Sequence, residues 1–256
     1  MDEQSDHVQP STAKVLAEVE RRRAEARRSV GEEQRRAVIL ADRFIFWLSK
    51  HWLVVCNVLA FLYVGLPILA PVLMQLGASG PAVVIHTIYK PLCHQLPQRS
   101  FFLFGPQLTY TLPELLELVG AGAISSPWSG EFIGNEVVGY KVALCQRDVA
   151  IYGAIFLFGL AYGLLSQRRN VRPLPWWAYI GIGIVPMILD GGYQWLSNAI
   201  NILAPQFPIT PYESAPLLRV ITGGLFGLAT AWLAYPCVQE AMDEFQETLQ
   251  KRFGWE

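Results

Sequence analysis

The sequence predicts an all-α membrane protein: a bundle of about four transmembrane helices, with an N-terminal amphipathic helical arm and a long outer loop. Three observations lead there. The 256 residues are 52% hydrophobic and only 16% charged, against about 25% charged in an ordinary soluble domain. Four separate apolar stretches approach or exceed the length that crosses a ~30 Å hydrocarbon core. The basic residues are also sorted along the chain, with ten of the twenty Lys and Arg between Lys14 and Lys50. A net charge of −1 gives nucleic acid no electrostatic footprint to bind.

Residues 1–12 are polar. From Ala13 to Arg28 strong helix formers carry mixed charge, and Gly31 interrupts them. A second helix, Glu32 to Lys50, sets Val38, Ile39, Ala41, Phe44, Ile45 and Trp47 against Arg35, Arg36 and Arg43. That pattern suits a helix lying on an anionic lipid surface. No apolar segment precedes residue 44, so no cleavable signal peptide is expected and the stretch from Trp52 would serve as an uncleaved anchor.

The first span is Trp52 to Leu76, interrupted late by Pro67 and Pro71. The second, Val149 to Leu165, carries Gly153, Gly159 and Gly163 for close helix packing. The third runs from Leu174 to Leu189 and continues as helix through Asp190 and Gln194 to about Leu196. The fourth is Leu217 to about Val238. The expected domains are therefore a cytoplasmic arm (1–50), a four-span domain (51–238) with its outer loop at 77–148, and a cytoplasmic amphipathic tail (239–256). Within the outer loop, Gly80 to Leu92 reads as a short interfacial or re-entrant helix and Leu112 to Val119 as another. Ser125 to Val142 shows no helical period.

Four spans place both termini on one side. Fifteen Lys and Arg then fall with the termini and the 166–175 loop (Arg168, Arg169, Arg172), and five fall opposite: Lys90, Arg99, Lys141, Arg147 and Arg219. The positive-inside rule makes the termini cytoplasmic and the location the cell membrane.

This topology gathers the chemically capable residues on the outer side: Cys93, His94, Arg99, Cys145, Arg147, Asp148, Asp190, Gln194 and Arg219. Asp190 and Gln194 are four apart and share a helix face. Charges facing lipid are costly, so that face turns inward. The four cysteines (Cys56, Cys93, Cys145, Cys237) form no CxxC or CxxCH pattern.

Several readings of the outer pair stay open. Cys93–Cys145 could be a disulfide. Cys93, His94, Cys145 and a carboxylate, Asp190 or Asp148, could hold zinc. The pair could also be a redox-active dithiol or two unpaired thiols. His94 alone reads as a hydrogen-bonded structural histidine as readily as a ligand. Arg99, Arg147 and Arg219 could grip an anionic head group; ion pairing with Asp148 and Asp190 would account for them equally well. Gly191-Gly192 and Gly223-Gly224 mark either close backbone approach to a ligand or close helix packing.

The pieces Cys93-His-Gln-Leu-Pro-Gln-Arg-Ser-Phe-Phe102, Cys145-Gln-Arg-Asp-Val-Ala-Ile-Tyr-Gly153, Asp190-Gly-Gly-Tyr-Gln194 and Leu218-Arg-Val-Ile-Thr-Gly223 resemble the DUF2085 family of prokaryotic membrane proteins. The resemblance runs from about residue 85 to 235 and leaves the Arg-rich arm outside. It implies a membrane location and supports this choice of residues. It implies no activity.

Two function classes follow. One is a metal- or thiol-dependent site acting on a lipid, quinone or extracytoplasmic thiol. The other is a non-catalytic component: a subunit or assembly factor of a membrane complex, or a small-solute transporter, with a disulfide-stapled outer loop. The sequence has no GxSxG, GxxxxGK[ST] or HExxH motif that would name a reaction.

Overall fold

The computed structural model describes residues 16–22, 31–126, 128–166, 170–204, 206 and 209–255. Its helices are α1 (Glu32–Gln75), α2 (Ser79–Tyr89), α3 (Leu112–Val119), α4 (Gln146–Ser166), a helical run α5 over residues 176–203, and α6 (Pro216–Phe253). The strands are β1 (Ser100–Leu103), β2 (Gly134–Asn135) and β3 (Gly139–Cys145). Among the described residues, three helices, within Gln34–Gln75, Gln146–Ser166 and Pro216–Phe253, are long and apolar enough to cross a membrane.

The separation expected between surface helix and first span is absent, because α1 is continuous through Lys50, Pro67 and Pro71. The tail is likewise continuous with the last apolar stretch in α6. No glycine lies at either junction, and Pro236, just before the tail, is accommodated inside α6. The expected third span is helical but irregular. In α5 the segments Trp176–Ala178, Val185–Met187 and Tyr193–Leu203 are α-helical, while Tyr179–Ile184 and Ile188–Gly192 are π-helical. Pro186 has no N–H to donate, and Gly181, Gly183, Gly191 and Gly192 relax the backbone around it, so widened turns are an economical solution. The helix also runs to Leu203, further than the sequence suggests.

The all-α expectation needs one correction, a three-stranded antiparallel sheet in the order β1-β3-β2. In it Ser100 pairs with Cys145 and Leu103 with Tyr140. The region without helical period holds β2 and most of β3. Gly139 sits at φ +79, where a Cβ would strike the Leu103 carbonyl oxygen, so the register depends on glycine there. A small core of Phe102, Tyr110, Leu115, Ile124 and Val138 packs α3 onto the sheet. Thr111 caps α3 in a capping box with Glu114.

Two compact units are present. In the first, residues 1–50 with 244–256, Gln246 Nε2 donates to the Ser49 carbonyl at 2.9 Å and Arg43 lies over the Trp255 ring at 5.9 Å. Val38, Ile39, Phe44, Ile45 and Trp47 are exposed there. The second unit, residues 51–243, holds the candidate site. Its apolar centre joins α1, α4 and α6 through Trp52, Tyr162, Ala231 and Tyr235. Gly159 admits the Asn57 side chain and Gly227 the Ile151 carbonyl. Nothing in the chain approaches Gly153, so its expected packing role is not met within the described residues.

Candidate functional site

At one end of this unit the chain turns from α2 through Cys93 to β1, and β3 runs directly into α4 at Cys145–Gln146. The Ser100↔Cys145 pairing draws these two turns together. Tyr89, Cys93, Val142 and Leu144 share a buried cluster, and the Tyr89 hydroxyl donates to the Tyr63 carbonyl at 3.0 Å, fixing α2 on α1. Ligand atoms of Cys93, Cys145 and Asp148 consequently lie within 4.8 Å of one another. Both cysteines are free thiols here. The Asp148 N–H points at Cys145 Sγ at 3.5 Å.

The two thiols are unequal. A hydrogen bond from Cys145, helped by the Gln95 N–H, holds the Cys93 thiol below its ordinary value. The same contact, with burial, pushes Cys145 well up. Cys93 is therefore the sulfur that carries the charge more readily, which is the form that binds metal or attacks.

Asp190 and Gln194 are both buried, as their shared face predicts. Asp190 does not join the cysteines. Arg147 Nη2 donates to its Oδ2 at 2.5 Å, Thr222 Oγ1 donates to the same oxygen at 3.2 Å, and the Tyr212 hydroxyl donates to Oδ1 at 3.3 Å. Gly191 and Gly223 form the slot for Arg147, since a Cβ on either would come within 2.8 Å of it. Their small size serves an internal side chain. His94 is exposed and outside the three-ligand group.

Sequence reasoning missed Glu213. Arg99 grips it with Nε at 2.8 Å and Nη2 at 2.7 Å, and Arg219 Nη2 donates to the same carboxylate. Arg219 also reaches the Gln98 carbonyl at 3.2 Å and Gln146 Oε1 at 3.1 Å. All three arginines are thus paired with carboxylates, Arg147 with Asp190 and the others with Glu213, whereas Asp148 takes no part in these pairs. Glu213 lies in a Pro-rich loop, six residues before Arg219 but 114 after Arg99, and nothing local marks it.

A second missed group positions the Cys93 turn. Lys141 is wholly buried, and its Nζ donates to the carbonyls of Gln95 and Gly130, each at 2.7 Å. Gln95, at φ 52, exchanges two bonds with His86: its Oε1 accepts from Nδ1 at 2.8 Å and its Nε2 donates to the His86 carbonyl at 2.7 Å. Burial lowers Lys141 to about 7 and His86 to about 4. His86 is then neutral near pH 7, with its proton on Nδ1. Its place as the lone charge beside the apolar run Val142-Ala-Leu-Cys145, in a strand buried almost throughout, is the one sequence signal that could have exposed it.

A cavity of about 490 Å³ opens beside the ligand group. Cys93, Cys145, Asp148, Arg147 and Gln194 line it, with Trp128 and Trp195. Two thiols and a carboxylate at one end of such a cavity can hold a cation, exchange a disulfide, or accept a proton.

Residues 136–233 match the model of the DUF2085 family, described as a predicted membrane protein. The matched segment holds Cys145, Arg147, Asp148, Asp190, Gln194, Glu213 and Arg219; Cys93 precedes it. A protein of the archaeon Methanocaldococcus jannaschii, itself named as uncharacterised, is 25% identical over 212 residues. The alignment covers 80% of this chain and 99% of that one. No solved structure matches the chain.

Proposed function

We propose that this membrane protein, which carries the DUF2085 pattern over residues 136–233, holds a divalent metal ion on Cys93, Cys145 and Asp148. Zinc fits the ligand types. The observation that carries the reading is the mutual approach of three acidic ligand atoms within 4.8 Å at the wall of a cavity. Without a cation, two thiolates and a carboxylate that close would repel, and protons would have to stay on. Three protein ligands with a fourth position open to a cavity is the arrangement of reactive rather than structural zinc. Cys93, the more acidic thiol, would bind first. The fixed Asp148–Cys145 contact and the Lys141 clamp would hold the ligands in place.

A disulfide is the second reading, favoured by the direct contact of the two sulfurs. Metal analysis of the purified protein, with thiol titration under denaturation and no reductant, separates the two. The metal reading expects one ion per chain and four titratable thiols. No ion and two titratable thiols would overturn it and establish the bond. In that case Cys93→Ser and the double variant would destabilise equally, because one bond is lost either way.

The surrounding topology belongs to the same proposal. Residues 176–203 would form the third of four spans, long enough to cross a ~30 Å core even with its π-helical turns. The fifteen-to-five sorting of Lys and Arg then places the termini in the cytoplasm and the site outside. Of the loop arginines behind that count, Arg168 and Arg169 lie outside the described residues. Labelling cysteines introduced at position 117 and in the tail with a membrane-impermeant maleimide tests the orientation. Position 117 should react in intact cells and the tail only after lysis, and the reverse would sink it. The exposed apolar row from Val38 to Trp47 supports contact with an anionic leaflet. Reversing Arg35, Arg36 and Arg43 in the full chain should abolish the protection of that row from solvent by anionic lipid.

A further inference from the structure

We infer that the cavity beside Cys93, Cys145 and Asp148 takes the neutral oxygen-bearing head, a hydroxyl or carbonyl, of a membrane amphiphile whose chain stays in the bilayer. The inference rests on the membrane and metal reading above and names the ligand class for that site.

The lining divides by chemistry. Cys93 is buried and Gln194 only 3% exposed, and with the half-buried Arg147 and Asp148 they make a polar end. His94, Gln95, Arg99 and Asn198 also line the cavity, while its mouth carries large exposed apolar side chains: Leu92 is 57% exposed, Trp128 53%, Trp195 72% and Ile202 68%. Three of these four are continuous with α5 or with the turn after α2, whose outer surfaces are also apolar, including Ile88, Leu189 and Leu203. Tryptophan is favoured where one end of a side chain meets lipid and the other meets water. A polar floor with an apolar, Trp-bearing mouth on a lipid-facing surface fits an amphiphile better than a water-soluble solute. The volume, about 490 Å³, lies within the range of ordinary small-molecule pockets. It suits a head and the first part of a chain.

Charge decides the head. The two lining arginines are already committed, Arg147 to Asp190 and Arg99 to Glu213. Neither guanidinium of the lining is left over to hold a phosphate or carboxylate. With a divalent ion bound, two thiolates and one carboxylate leave the metal group at net −1, which repels an anionic head. A neutral oxygen can still meet the open metal position. An independent sign of a ligand comes from Gln194, whose Nε2 is buried with no hydrogen-bond partner among the described residues. Such a donor is costly to leave unmet, and a ligand oxygen would satisfy it.

The test uses the full chain in phosphatidylcholine nanodiscs and one probe, dodecanol bearing a diazirine near its hydroxyl end. After illumination, adducts are mapped by peptide mass spectrometry. Adducts should concentrate on residues 92–99 and 195–202, relative to the exposed Leu59 and Phe61 of α1, which serve as the bilayer background. Excess 1-dodecanol should suppress them, and equal dodecyl phosphate should not. Gln194→Leu should reduce the cavity adducts about fivefold, the order expected for one lost hydrogen bond, with the α1 background unchanged. Trp195→Ala serves as a second variant should that one fold poorly, and it should shift adducts from the mouth to the background. Uniform labelling, or competition by dodecyl phosphate equal to dodecanol, would overturn the inference. Metal content of the same samples keeps the two proposals apart. Cavity adducts without metal would retain the amphiphile and remove the ion; metal without cavity adducts would do the reverse.

Discussion

Lys141, buried, and Arg147, half-buried, are cations within the same unit, and they are compensated in different ways. Lys141 has two backbone carbonyls and no carboxylate in hydrogen-bond contact. Arg147 has Asp190, which Thr222 and Tyr212 also support. An ammonium can shed its proton when burial becomes too costly, whereas a guanidinium cannot. The fold accordingly gives the arginine a counter-charge and leaves the lysine near 7. The Cys93–Cys145–Asp148 group is a third case, with acidic groups close together and, among the described residues, no basic side chain in an ion pair with Asp148. Of the three, it is the one whose compensation has to come from protons, a disulfide or an added ion.

The strongest way to break this comparison is Asp190→Asn. It should cost about 2–4 kcal/mol, below the full range for a buried pair because Arg147 is half-buried, since it strands a guanidinium rather than merely deleting a bond. Thermal unfolding in detergent would read this, and a loss below about 1 kcal/mol would mean that water already shields Arg147.

Lys141→Met comes next and sharpens the contrast. At alkaline pH, where the folded lysine is neutral, losing two bonds to carbonyls should cost about 1–3 kcal/mol. The folded value, about 7, lies below the unfolded one of 10.5. Between them the unfolded chain holds the extra proton, so wild-type stability should rise as pH increases from 7 towards 10.5. Below 7 both states are protonated, and the cost of burying the charge is fully present. In Lys141→Met the rise should vanish, and an unchanged slope would assign it to another group.

Thr111→Ala removes only the cap of α3 and should cost about 1 kcal/mol, confined to the outer sheet and detected by hydrogen exchange there. Simultaneous loss of protection around Cys93 would mean that the two regions unfold together. Smallest of all, Glu117→Gln should fall within about 0.5 kcal/mol, since this exposed carboxylate takes part in neither network among the described residues. An effect equal to that of Asp190→Asn would sink the distinction between buried and surface charge.

Much of this was legible in the sequence, and the reasons differ from residue to residue. Span length and hydropathy are local properties, so Val149 to Leu165 could be read directly. The inward turn of Asp190 and Gln194 followed from helical spacing and the cost of charge in lipid. The approach of Cys93 to Cys145 was foreseeable only as a pairing of motifs. Its alternatives could not be separated, because bond, ligand and thiol share the same two letters.

What the sequence by itself determined is the membrane class, the apolar helices and the set of residues able to do chemistry, since each follows from composition and period. Only the tertiary structure decided the partners. Glu213 rather than Asp148 answers Arg99 and Arg219, because a loop between α5 and α6 returns to the start of β1. Asp148 rather than Asp190 or His94 joins the two cysteines, because antiparallel pairing of β1 with β3 brings Cys145 and the first turn of α4 up to the Cys93 turn. Arg99 meets Glu213 across 114 positions and Cys93 lies far from Cys145 in the chain, and no local pattern of side chains encodes which distant group will arrive first.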